Sequence, residues 1–124
     1  MSYTLLIIED NEQNYYMMRF LLEKNGFTVI GARTGREGIE RALRHKPQAI
    51  LLDIQLPEMD GYAVAAELKK WDEIREVPII AVTSYAMVGD RERILSAGAT
   101  GYIEKPIDPE TFVGEIRKYL ANEE

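Results

Sequence analysis

The sequence contains no cysteine. Disulfides, zinc–thiolate centres and thiol nucleophiles are therefore excluded, and the absence fits a reducing compartment. No apolar run approaches the roughly 20 residues that a bilayer crossing requires. The N-terminal stretch MSYTLLIIED lacks the basic region of a signal peptide. Positive charge is scarce: 15 Lys and Arg stand against 21 Asp and Glu, a net charge of −6. With no basic stripe, nucleic acid is excluded as a partner. The one histidine, His45, lies near the end of a predicted helix, where a cation is favoured. It is read as a surface residue, not as a metal ligand or phosphohistidine. No linker, repeat or low-complexity tract interrupts the chain.

What is present is a chain of 124 residues, 46% apolar and 29% charged. That describes one globular domain, residues 1–124, large enough for a core of its own. No output domain is expected to follow, and the cytoplasm is the expected location.

Short apolar runs recur at 4–8, 28–31, 49–52, 78–82 and 101–103. Runs of this length suggest strands covered on both faces, as in a parallel sheet. Amphipathic segments alternate with them. The spacing predicts helices over 12–25 (Met18, Leu21, Leu22), 35–45 (Ile39, Ala42, Leu43), 61–71 (Val64, Ala65, Leu68), 90–97 and 109–121 (Phe112, Ile116, Leu120). Asn25-Gly26 ends the first. Thr34 and Glu37 form a capping box at the start of the second. Asp108 caps the last, with Pro109 in its first turn. Five βα repeats with short connections give a doubly wound α/β sheet.

In such a sheet ligands bind beyond the carboxyl ends of the strands. Those ends carry Glu9-Asp10, Asp53, Thr83-Ser84 and Glu104-Lys105-Pro106. Converging carboxylates repel, by about 4 kcal/mol for two charges roughly 4 Å apart at an effective dielectric near 20. A hard divalent cation such as Mg2+ or a lysine relieves that repulsion. Each residue alone has a plainer role, as helix cap, acidic first turn or solvated lysine. Their joint occurrence at four matching strand ends is much harder to explain that way.

These residues, with the PEMDG stretch at 57–61 and Tyr102 three positions before Lys105, resemble the receiver domain of two-component response regulators. The likeness extends along essentially the whole chain. EDNEQN and AMVGDRERILSAGATGYIEKPID are most similar to stand-alone regulators of the DivK group and to hybrid-kinase receivers. The resemblance implies a flavodoxin-like sheet of order 2-1-3-4-5 with five helices. It implies that Asp53 accepts a phosphoryl group from a phosphohistidine of a histidine kinase or phosphotransfer protein. Asp10, Asp53 and the backbone carbonyl of Gln55 would ligate Mg2+, with Glu9 acting through water. Lys105 and Thr83 would contact the phosphoryl group, Tyr102 would rotate inward, and the bond before Pro106 would be cis. Tyr15, Tyr16 and Ile107 would dock the donor. Helix four, strand five and helix five would face the downstream target, in a monomer. Gln55 and Tyr85 stand at the mouth of the site, placed to tune water access.

Three other readings are weaker. A phosphohydrolase on this sheet usually has a second Asp two residues after the nucleophile, where Gln55 stands, and a cap domain. A phosphorylation-independent adaptor usually loses part of the acid–threonine–lysine set. A nucleotide- or flavin-binding module would have a glycine-rich loop after strand one, not EDNEQN. Within the first reading, a relay or phosphate-sink role stays open.

Overall fold

In the computed structural model residues 3–56, 59–84 and 88–120 are described, with backbone alone for 88 and 89. The five apolar runs form strands β1 (Thr4–Ile8), β2 (Thr28–Ala32), β3 (Ala49–Asp53), β4 (Ile79–Thr83) and β5 (Gly101–Glu104). All pair in parallel in the order β2-β1-β3-β4-β5. Every residue of β3 and β4 is buried, which explains why those runs are continuously apolar and do not alternate.

The period of two divides each strand between two cores. Leu5, Ile7, Leu51, Ile80, Val82 and Ile103 point to one face, against Met18, Leu22, Phe112 and Ile116. Leu6, Ile8, Ile50, Leu52, Ile79 and Ala81 point to the other, against Ala42, Val64, Leu68 and Ile94. The first face is covered by helices α1 (Glu12–Lys24) and α5 (Phe112–Leu120). The second is covered by α2 (Gly35–His45), α3 (Gly61–Leu68) and α4 (Val88–Ser96). Each fully buried Leu or Ile contributes roughly 1.5–3 kcal/mol.

The helix starts follow local chemistry. Asn11 Oδ1 accepts from Asn14 N–H at 2.9 Å, and Asp60 Oδ1 from Ala63 N–H at 2.9 Å. Thr34 Oγ1 accepts from Glu37 N–H at 3.1 Å. The returning bond of the expected box goes to Arg33 N–H, one residue before the cap, at 2.9 Å.

Three helix bounds differ from expectation by two residues or more. Helix α3 stops at Leu68 instead of running to 71, because Lys70 and Trp71 bond back three residues, to Glu67 and Leu68, and close the end as a turn. Trp71 is 41% exposed there. Helix α5 starts at Phe112, three residues late. The backbone oxygen of Asp108 takes the N–H groups of Thr111 and Phe112, and its Oδ1 takes that of Glu110, so 109–111 form a turn. Helix α4 begins at Val88, two residues before Asp90.

Candidate functional site

The strand period that separates the two cores also aims the polar tips. Glu9 follows Leu5 and Ile7, Asp53 follows Ala49 and Leu51, and Lys105 follows Ile103, all by steps of two on the α1/α5 face. The ladder continues one residue beyond β1 and β5: Glu9 N–H donates to Ala32 O at 2.9 Å and Lys105 N–H to Thr83 O at 2.8 Å. The backbone therefore delivers three charged side chains to one rim. Lys105 Nζ lies 3.2 Å from Glu9 Oε1 and 3.3 Å from Asp53 Oδ1. Asp53 Oδ1 also accepts from Gln55 N–H at 3.0 Å, and Glu9 Oε2 from Asn11 N–H at 3.2 Å.

Burial is uneven among the acids. Glu9 and Asp53 are 2% and 3% exposed, whereas Asp10 is open to solvent. Burial, together with the facing Asp53 carboxylate, pushes the Glu9 carboxyl up to about 7, against the opposing pull of Lys105. Glu9 Oε1 has no hydrogen-bond partner. The lysine stands at ion-pair distance from it without aligned hydrogen-bond geometry. Oxygens of Glu9, Asp10 and Asp53 lie within 4.8 Å of one another. A buried acceptor without a donor, inside an all-oxygen set of three carboxylates, fits a hard divalent cation.

Thr83 is 1% exposed and has Glu104 as its partner across the β4–β5 ladder. It follows Ile79 and Ala81, so it belongs to the opposite face. Tyr102, two residues before Glu104, shares that face and is half-buried against the second core. The Lys105–Pro106 peptide bond is cis. Tyr15 is half-buried, with its hydroxyl tucked against Gly31, where an added Cβ would lie within 2.3 Å of it. Tyr16 is 70% exposed. Ile107, expected as a docking residue, is 5% exposed and part of the α1/α5 core. Pro57, Glu58 and Tyr85 lie outside the described residues.

Sequence reasoning missed a cavity of about 310 Å³ beside the acids, bounded by Glu9, Asp10, Tyr15, Arg33, Glu37 and Arg41. Arg33 pairs there with Glu12, and Arg41 donates to the carbonyl of Gly31. Arginines held by a backbone carbonyl or by an acid on a helix distant in sequence leave no periodic signature.

Residues 5–117 match the response regulator receiver domain. The chain belongs to this family. It is 45% identical over 122 residues to the polar-differentiation response regulator DivK of Brucella anthropi, covering 98% of this chain and 99% of that one. Among solved structures it is similar to the receiver domain of a sensor histidine kinase from Pseudomonas aeruginosa, described with a magnesium ion coordinated in the active-site cleft. That likeness has a TM-score of 0.89 at 32% identity, covering 98% and 99% of the two chains. A CheY-like response regulator receiver domain protein from Methanospirillum hungatei matches with a TM-score of 0.90 at 29% identity, covering 98% and 96%. The chain is thus a DivK-like receiver-domain response regulator, a phosphoacceptor of two-component signalling. Receiver domains bind Mg2+ at an acidic pocket, and Glu9, Asp10 and Asp53 form one here. They interact with histidine kinases and downstream targets. Among the described residues no helix is long and apolar enough to cross a membrane.

Proposed function

We propose that Asp53 is the phosphoacceptor of this receiver. The observation that carries the proposal is the buried contact of its carboxylate with Lys105 and the Gln55 N–H at the end of a fully buried strand. A carboxylate oxygen of Asp53 attacks phosphorus. The bond from phosphorus to the donor's histidine nitrogen breaks, and the imidazole leaves with the electron pair. Such a transfer asks for positioning and charge stabilisation more than for a base. The strand fixes the nucleophile. Lys105 holds a phosphoryl oxygen with a charge-assisted hydrogen bond. Glu9, Asp10, Asp53 and the backbone carbonyl of Gln55 would hold Mg2+, which when bound offsets negative charge on the transferring group.

Thr83 donates its hydroxyl hydrogen bond to the phosphoryl group once formed, and Tyr102 follows it inward. The new charge thereby reaches the face made by α4, β5 and α5, which binds the downstream target. The donor is a histidine kinase or histidine phosphotransfer protein that docks beside Tyr16. Self-phosphorylation from a small donor and slow self-dephosphorylation belong to the same chemistry, and the work is done in the cytoplasm.

The test is intact mass after incubation with acetyl phosphate and Mg2+. Wild type gains about 80 Da, one phosphoryl group, in a base-labile form, and Asp53→Ala gains nothing. A gain that survives in the variant would overturn the assignment.

A further inference from the structure

Helix α4 is lightly anchored. Among its described side chains Ile94 alone is buried, at 1% exposed, and Leu95 is 49% exposed. Its two flanks are tied by arginines two positions apart, which a helix turns about 200° from each other. The Arg93 guanidinium sits 4.0 Å from the ring centroid of Tyr62 on α3. The Arg91 guanidinium sits 5.4 Å from the ring centroid of Tyr102 on β5, and 3.9 Å from Glu104 Oε1 on the same strand. Tyr102 and Glu104, two residues apart, project from one face of β5. The β4–β5 register sets Glu104 beside Thr83, so Tyr102 is the diagonal neighbour of Thr83 on that face.

We propose that Arg91 is a positioning residue of the switch: spread across Tyr102 and Glu104, it holds the Tyr102 ring in its half-buried place under α4 until Asp53 is phosphorylated. This deepens the reading of Asp53 as phosphoacceptor and rests on it for the trigger, but the clamp itself is a property of the resting protein. The chemistry suits a switch. A cation–π contact made by a half-exposed arginine is weak, so it biases the ring without locking it. Arg93 on the other flank fixes α4 to α3 and leaves the β5 side as the one that yields.

The experiment is NMR of the full chain, without metal or donor, reading the NOE between the Tyr102 ring and the Thr83 methyl group. In Arg91→Ala that NOE rises about two- to five-fold, the size of an exposed cation–π contact, and in Arg91→Lys it rises less. Arg93→Ala lowers stability and moves the Tyr62 signals without changing the NOE. An unchanged NOE in Arg91→Ala, or an equal rise in Arg93→Ala, overturns the proposal, the second by showing that general loosening of α4 suffices. Wild type with Mg2+ and beryllofluoride is the separate arm. If the mimic leaves Tyr102 unmoved, the coupling of Tyr102 to the phosphorylated site fails while the resting-state comparison still decides the clamp; the phosphoacceptor reading itself stands or falls on the mass measurement. If the mimic moves the ring and Arg91→Ala does not, the role of Arg91 alone falls.

Discussion

Lys105 Nζ stands 3.3 Å from Asp53 Oδ1 and 3.2 Å from Glu9 Oε1, so one cation serves two buried carboxylates at the ends of two other strands. Every charge in the site is therefore felt by every other, and the consequences of altering one can be worked out from its neighbours.

Lys105→Met removes the cation and leaves both acids facing each other. The metal-free protein should lose about 1–3 kcal/mol, the cost of stranding buried polar groups. Mg2+ should bind more tightly, because a repelling charge has gone. Phosphorylation from acetyl phosphate should slow roughly ten- to a hundred-fold, the loss of one charge-assisted hydrogen bond. Calorimetric Mg2+ titration and mass time courses measure the two effects; an unaltered rate would remove Lys105 from the chemistry.

Glu9 sets the response to pH. Its carboxyl titrates near 4.5 unfolded and near 7 in the folded, metal-free protein. Between those values the native state holds more protons than the unfolded state, so stability falls as pH rises from about 4.5 to about 7 and then levels off. A cation needs the charged form, so its binding expels a proton and its apparent affinity climbs across the same window. Denaturation in chelator at pH 5, 6, 7 and 8 should show this slope in wild type and lose it in Glu9→Gln. An identical slope in both would place the titration elsewhere.

Gly61 and Gly114 separate close packing from flexibility. A Cβ on Gly61 would meet Ile54 Cα at 2.4 Å and Asp53 O at 2.8 Å, both backbone atoms that cannot rotate away. Gly61→Ala should cost more than about 2 kcal/mol and displace the strand end that carries Asp53, weakening Mg2+ binding with it. Gly114, in α5, has nothing within 4 Å of a built Cβ. Gly114→Ala should stabilise the fold by about 0.5–1 kcal/mol and leave the metal site unchanged. Thermal melts with and without Mg2+ distinguish the pair.

Tyr16 and Phe20 stack at 6.4 Å on the outer side of α1 and are 70% and 51% exposed. Tyr16→Ala should change stability by less than about 0.5 kcal/mol. It should slow phosphotransfer from the cognate donor about ten-fold, as loss of an interface aromatic does, and spare acetyl phosphate. Equal slowing with both donors would mean that Tyr16 acts on the chemistry and not on docking.

The β/α alternation, the strand positions and the acids at the strand tips are all legible along the chain, because each is a local pattern of burial or capping. Thr34 acts as a cap for reasons contained within four residues of sequence. The helix ends at Leu68 and Phe112 were harder, since a turn that bonds back three residues uses the same residue types as the helix it replaces.

The sequence by itself therefore determined the β/α alternation and the polar residues at the strand ends: short apolar runs separated by amphipathic segments, and carboxylates, a threonine and a lysine where those runs end. Only the tertiary structure decided how they are deployed. Strand pairing put Glu9, Asp53 and Lys105 on one face and Thr83 and Tyr102 on the other, buried Glu9 while leaving Asp10 in water, drew Ile107 into the core, and laid Arg91 across Tyr102. The reason is that register and helix placement join residues far apart in the chain, and neither burial of a charge nor contact between an arginine and a ring has any signature until the segments meet.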